Sequence, residues 1–94
     1  DKEPIIVSVN KDGAYFLNIA PNPAEPMAAK EIMLQVASEL ALAKERGEKL
    51  NVLVKGDQGV NYGTVVVVMS MLKEAGASQV GLITENQMEL AGGD

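Results

Sequence analysis

Two β-rich runs, LNVLV at residues 50–54 and QVGLIT at residues 79–84, stand on either side of a stretch with a different period. Within that stretch VVVVMSMLKEAG reads two ways. Four consecutive valines favour a strand, while Val65, Val68, Met69, Leu72 and Ala75 fall on one helical face. Three features decide for the helix. Asn61 is a good N-cap, the segment is too long for an ordinary strand, and Ala75-Gly76 reads as a helix C-terminus. The expected helix covers 62–75, about 14 residues and roughly 21 Å. Strands joined by such a helix cannot pair as a hairpin, so they are expected to lie parallel through a right-handed crossover.

The first half adds two strands and a second helix. PIIVSVNKDGAYFLNIA alternates β-rich runs at 5–9 and 14–19 around Asn10-Lys11-Asp12-Gly13, where Gly13 can take the positive φ that a short hairpin loop requires. PNPAEP follows, with three prolines in six residues, and reads as a stiff connector. Over 27–46, Ile32, Met33, Val36, Leu40 and Ala43 recur at spacings of three and four, with Lys30, Glu31, Gln35 and Glu39 turned outward, which predicts an amphipathic helix. Lys44 and Arg46 suit its negative end, and Gly47 reads as a left-handed cap. The order is ββ-α-β-α-β, an α+β two-layer sandwich with two helices on one face of a mixed β-sheet. Residues 1–94 read as a single domain, with 1–4 the end of a linker and ENQMELAGGD at 85–94 a flexible polar tail.

Composition narrows the chemistry. A 94-residue chain buries only about 60–65% of its unfolded surface, so association with a second copy would help it. The net charge of −5 and eight scattered basic residues argue against nucleic acid and anionic lipid, both of which need clustered cations. The sequence has no cysteine and no histidine, which removes thiolate nucleophiles, sulfur ligands and the commonest general base. The longest apolar run, residues 65–69, is far short of the roughly 20 residues that cross a bilayer. A chain that starts at Asp1 with no signal-peptide pattern is expected to be part of something longer.

KGDQGVNYGTV, with glycines at 56, 59 and 63, raises the question of a phosphate loop. A Walker loop needs a lysine after its last glycine, but Thr64 follows Gly63, and the dinucleotide spacing also fails. Asp57 would repel an anion. The favoured reading is a structural turn, in which Gly56 and Gly59 let the backbone reverse, Asp57 accepts hydrogen bonds from nearby amides and Asn61 caps the helix. Asp57 as a general acid or base lacks a visible partner. The helix itself is apolar nearly all round, because Val66, Val67 and Met71 lie off the buried stripe. It is either sandwiched between the sheet and the first helix or offers a contact surface.

At this point the residues point to a family. The spacing D-x-x-V-x-Y-x-x-V-x-x-x-M-x-x-L-x-x-A-G-x-x-x-V-x-L-x-T is carried by Asp57, Val60, Tyr62, Val65, Met69, Leu72, Ala75, Gly76, Val80, Leu82 and Thr84. It resembles the C-terminal periplasmic domain of the ExbD/TolR family, and VSVNKDGAYFLN is similar to that family's opening hairpin, more in its ExbD branch than its TolR branch. Three features depart from the family pattern. Gly56 stands where alanine is usual, NPAEP is an unusual connector, and the four valines replace a more polar helix surface.

The resemblance implies a single-pass inner-membrane subunit on the periplasmic face of the Gram-negative envelope, its anchoring helix outside this sequence, usually a homodimer. With ExbB such proteins pass proton-motive force to TonB for outer-membrane import of iron chelates and vitamin B12. TolR acts in parallel with TolQ and TolA in envelope maintenance and can associate with peptidoglycan. The family's proton-carrying aspartate belongs to the missing helix, so no catalytic residue, metal or cofactor carries over and no enzyme is expected. Tyr62, Val66 and Met71 are the expected dimer or partner surface. Val80, Leu82 and Thr84 are the expected strand edge for an extended partner, and Gly13, Asp57, Asn61 and Gly76 the structural turns and caps.

Overall fold

The computed structural model describes residues 3–84, so the tail expected over 85–94 and the first two residues of the linker end lie outside the described residues. Two β-strands, β1 (Ile5–Val9) and β2 (Tyr15–Leu17), form the opening antiparallel hairpin, with Val9 opposite Tyr15 and Val7 opposite Leu17. Gly13 takes φ +86° in the loop, and Asn10 Oδ1 accepts the amides of Asp12 and Ala14 at 3.0 and 2.9 Å. Helix α1 (Ala29–Glu45), strand β3 (Val52–Gly56), helix α2 (Tyr62–Glu74) and strand β4 (Val80–Thr84) follow. The sheet order is β2-β1-β3-β4, antiparallel at β1/β2 and parallel at β1/β3 and β3/β4. This is the α+β order read from the sequence.

Alternation sorts the two sheet faces. Ile5, Val7 and Val9 of β1 and Val52 and Val54 of β3 are buried, while Ile6, Ser8 and Leu53 are half-buried and Lys55 is exposed. The buried set meets Ile32 and Val36 of α1 and Val65, Val68 and Leu72 of α2 in one core. Both helices therefore cover one face and leave the other open, as period-2 strands under one helical layer require.

Local chemistry sets the helix ends. Asn61 Oδ1 accepts the Gly63 amide at 2.7 Å, and the Asn61 carbonyl takes the amides of Thr64 and Val65. Helix α1 lacks such a cap because Ala28 has no side-chain oxygen; only the Glu31 carboxylate reaches back, to the Ala28 amide at 3.4 Å. Both helices close with a left-handed glycine. Gly47 has φ +70° with Glu48 N–H on Ala43 O at 2.8 Å, and Gly76 has φ +123° with Ala77 N–H on Leu72 O at 3.1 Å.

Several boundaries differ from the sequence reading, each for a tertiary reason. The second hairpin strand, expected over 14–19, ends at Leu17 because the Asn18 side chain turns back, accepting Ile6 N–H at 2.7 Å and donating to Pro4 O at 2.9 Å. β3, expected over 50–54, is shifted to Val52–Gly56 because its ladder with β1 runs from Ile5 opposite Val52 to Val9 opposite Gly56. Gly56 does not reverse the chain. It ends β3, and a Cβ there would lie 2.8 Å from Val60 Cγ1, so glycine serves close approach. Gln35, expected outward, is half-buried with its Oε1 enclosed and without a hydrogen-bond partner among the described residues. Pro21 and Met27, beside Gln35 in one surface groove, bring the connector to this flank of α1.

Candidate functional site

Two strands end the sheet, and they are not equivalent. β2 is three residues long, and its outer side is bridged by the connector, with Met27 N–H on Tyr15 O at 2.9 Å. The connector that supplies Met27 carries prolines at 21, 23 and 26, which have no amide N–H to donate. β4 is five residues long and pairs only with β3 among the described residues. On such a strand alternate residues turn N–H and C=O outward, a ready template for an extended chain.

The side chains of β4 divide between the two faces. Val80 and Leu82 are half-buried and pack against the core from the helix side. Gly81 and Ile83 belong to the open face, in register with Leu53 and Lys55. Thr84 closes the strand opposite Gly56. Sequence reasoning took Val80–Thr84 as the edge but named only Val80, Leu82 and Thr84 within it, not Gly81 and Ile83. The period-2 alternation of QVGLIT was the signal available for them.

Helix α2 presents a second surface. Val65, Val68 and Leu72 point to the core, and the opposite arc carries Tyr62 (71% exposed), Val66 (42%) and Val67 (54%). The α2 face is therefore not sandwiched against α1. Tyr62 and Val66 share this arc one turn apart, whereas Met71 is half-buried at its margin. On α1, Leu34 is 66% exposed and Leu42 is partly exposed; both lie off the stripe by which the sequence defined that helix.

The glycine-rich turn is built to hold its own chain. Asp57 N–H bonds to Val9 O at 3.0 Å, and it is the Asp57 backbone carbonyl that accepts Val60 N–H, at 3.1 Å. Gly59 takes φ +90°. The first-turn amides of α2, which a phosphate would need, are directed onto Asn61. Among the described residues no ionisable side chain is buried and no group of three acidic side chains could hold a metal ion. A groove of about 310 Å³ beside Glu3, Glu39, Leu42 and Arg46 is partly open to solvent. Among the described residues, β4 is paired on one side only and α2 exposes Tyr62, Val66 and Val67.

Among the described residues no helix is long and apolar enough to cross a membrane. The family profile described as biopolymer transport protein ExbD/TolR matches residues 1–87. The chain is similar to the Tol-Pal system protein TolR of Pseudomonas aeruginosa, 32% identical over 90 residues, covering 90% of this chain and 60% of that protein. It is similar to the biopolymer transport protein ExbD of the same organism, 33% identical over 86 residues, covering 88% of this chain and 56% of that protein. TolR of Escherichia coli K12 is 26% identical over 85 residues, covering 90% of this chain and 57% of its own. The chain thus spans between 56% and 60% of the length of these relatives. With a profile match over nearly its whole length, the chain belongs to the ExbD/TolR family of biopolymer transport proteins.

Proposed function

We propose that this chain is the periplasmic domain of a proton-motive-force-driven energy-transduction subunit, anchored in the Gram-negative inner membrane and working without catalytic chemistry. In this reading it couples an ExbB-ExbD motor to TonB for import of iron chelates and vitamin B12. The observation that carries it is the β4 edge, five residues unpaired on one side among the described residues, beside a β2 edge that the connector already bridges. An extended TonB segment adds to β4 by main-chain hydrogen bonds, and side chains at alternate positions supply selectivity.

Homodimerisation uses the outward arc of α2, with Tyr62, Val66 and Val67 at its centre and Met71 at its margin. These exposed apolar side chains amount to on the order of 300 Å², well below the roughly 800 Å² per partner of a stable interface. The α2 contact is weak alone, and tethering two copies to one membrane assembly supplies the effective concentration it needs. Sedimentation of the isolated domain should show a monomer that associates only at high concentration.

Titrating the isotope-labelled domain with a TonB linker peptide tests the main reading. Amide shifts are expected in Val80–Thr84, and shifts absent from every strand edge rule the route out. A second reading is favoured by the near-equal likeness to TolR: an envelope-maintenance subunit working with TolQ and TolA and binding peptidoglycan. Sugar sites favour aromatic platforms, and Tyr15, Phe16 and Tyr62 are the aromatics of the sequence. Retention on purified sacculi, together with no response to the TonB peptide, would establish this second reading instead.

A further inference from the structure

Gly81 lies at the middle of β4, on the open face of the sheet, in register with Leu53 of β3 and, beyond it, Ile6 of β1. A Cβ placed on Gly81 would fall 2.7 Å from Leu53 Cδ2. Leu53 therefore leans across β4, and its methyl occupies the space that any other residue at 81 would fill. Neighbouring strands lie about 4.8 Å apart, so this methyl is only one strand spacing from whatever pairs with the free edge. With a side chain at 81 an incoming residue would meet that side chain; with glycine it meets Leu53. Ile83, half-buried two residues along on the same face, borders the seat.

Resting on strand addition at β4, we infer that the added segment carries a large apolar side chain at the register opposite Gly81, packed on the Leu53 methyl. A glycine within a strand commonly marks a site where another chain approaches closely, and here the approach is lined by a leucine rather than left empty. The occupant is an extended peptide, selected by one aliphatic or aromatic residue pointing to the open face. Its flanking residues on that face can be polar, because Lys55 and Ser8 share the register row of Ile83.

The test uses the whole 94-residue chain and capped heptapeptides of alternating threonine and lysine with Leu, Phe, Ala or Lys at the centre. Binding is followed by amide shifts in Val80–Thr84 and by contacts from the central side chain to Leu53 methyls. Leu and Phe peptides are expected to bind roughly tenfold tighter than the Ala peptide, with direct contacts to Leu53. Gly81→Ala moves the Leu53 terminus, which is flexible enough to yield, and Leu53→Ala deletes the seat on the face away from the helices. Both variants should keep the β4 shifts and lose the preference. Shifts at β4 with equal affinity for Leu and Ala overturn this inference alone. No shifts at β4 with any peptide overturn strand addition as well.

Discussion

Replacing Asn18 by alanine should loosen the domain where its chain enters the sheet. The Asn18 amide accepts Ile6 N–H at 2.7 Å and donates to Pro4 O at 2.9 Å, standing in for a peptide group that β2 is too short to supply. Alanine removes both bonds together. A hydrogen bond contributes about 0.5–1.5 kcal/mol net, and a buried backbone group left unpaired costs about 1–3 kcal/mol. Both contacts are partly buried, so water recovers some of the loss, and the combined effect should be about 1.5–3 kcal/mol. For a domain of this size each kcal/mol lowers Tm by about 4–8 °C, which predicts a fall of roughly 6–24 °C.

Urea unfolding followed by circular dichroism measures the loss, with m unchanged because the apolar core is untouched. Hydrogen exchange of the Ile6 amide should accelerate in parallel. A loss below about 0.5 kcal/mol with unchanged Ile6 exchange would refute the reasoning, since water would then serve both groups as well as Asn18 does. Asn18→Asp adds a second test: an ionised carboxylate can accept from Ile6 but cannot donate to Pro4, so this variant should be less stable than the wild type at neutral pH. In the proposed function this clasp is where a pull from the N-terminal side would enter the sheet.

Leu72 is fully buried and Val67 is 54% exposed, so Leu72→Ala should cost about 2–5 kcal/mol and Val67→Ala less than about 0.5 kcal/mol in the same urea assay. Gly76→Ala should destabilise by about 1–2 kcal/mol; the cost is backbone conformation at φ +123°, because Leu40 Cδ1 is an ordinary 3.7 Å from the new Cβ. Removing the α2 cap with Asn61→Ala should cost about 0.5–2 kcal/mol, and Asn61→Asp should restore most of it, as read by thermal melts.

The order of strands and helices was legible along the chain because it depends on local rules. Alternation in PIIVSV and QVGLIT, the three-and-four spacing from Ile32 to Ala43, the Asn61 cap and the glycines at 47 and 76 each act within a few residues. They are where the structure begins and ends its elements, to within a residue or two. The shifts at β2 and β3 came from hydrogen bonds between distant residues, Asn18 to Ile6 and the β1–β3 ladder, which no local window contains.

The candidate site was legible in part for the same reason. That α2 carries more apolar surface than one buried stripe needs follows from its residues; which strand forms a sheet edge does not, and Val80–Thr84 was a choice the residues alone could not make. What only the tertiary structure decided is which edges are available: β4 pairs on one side among the described residues, while Met27 bridges β2 and the prolyl connector adjoins it. It also decided that Leu53 lies over Gly81. Helical period and capping are properties of a segment, but the neighbours of a strand and the direction in which a side chain leans are set by chain brought from elsewhere, so they exist only once the sheet has formed.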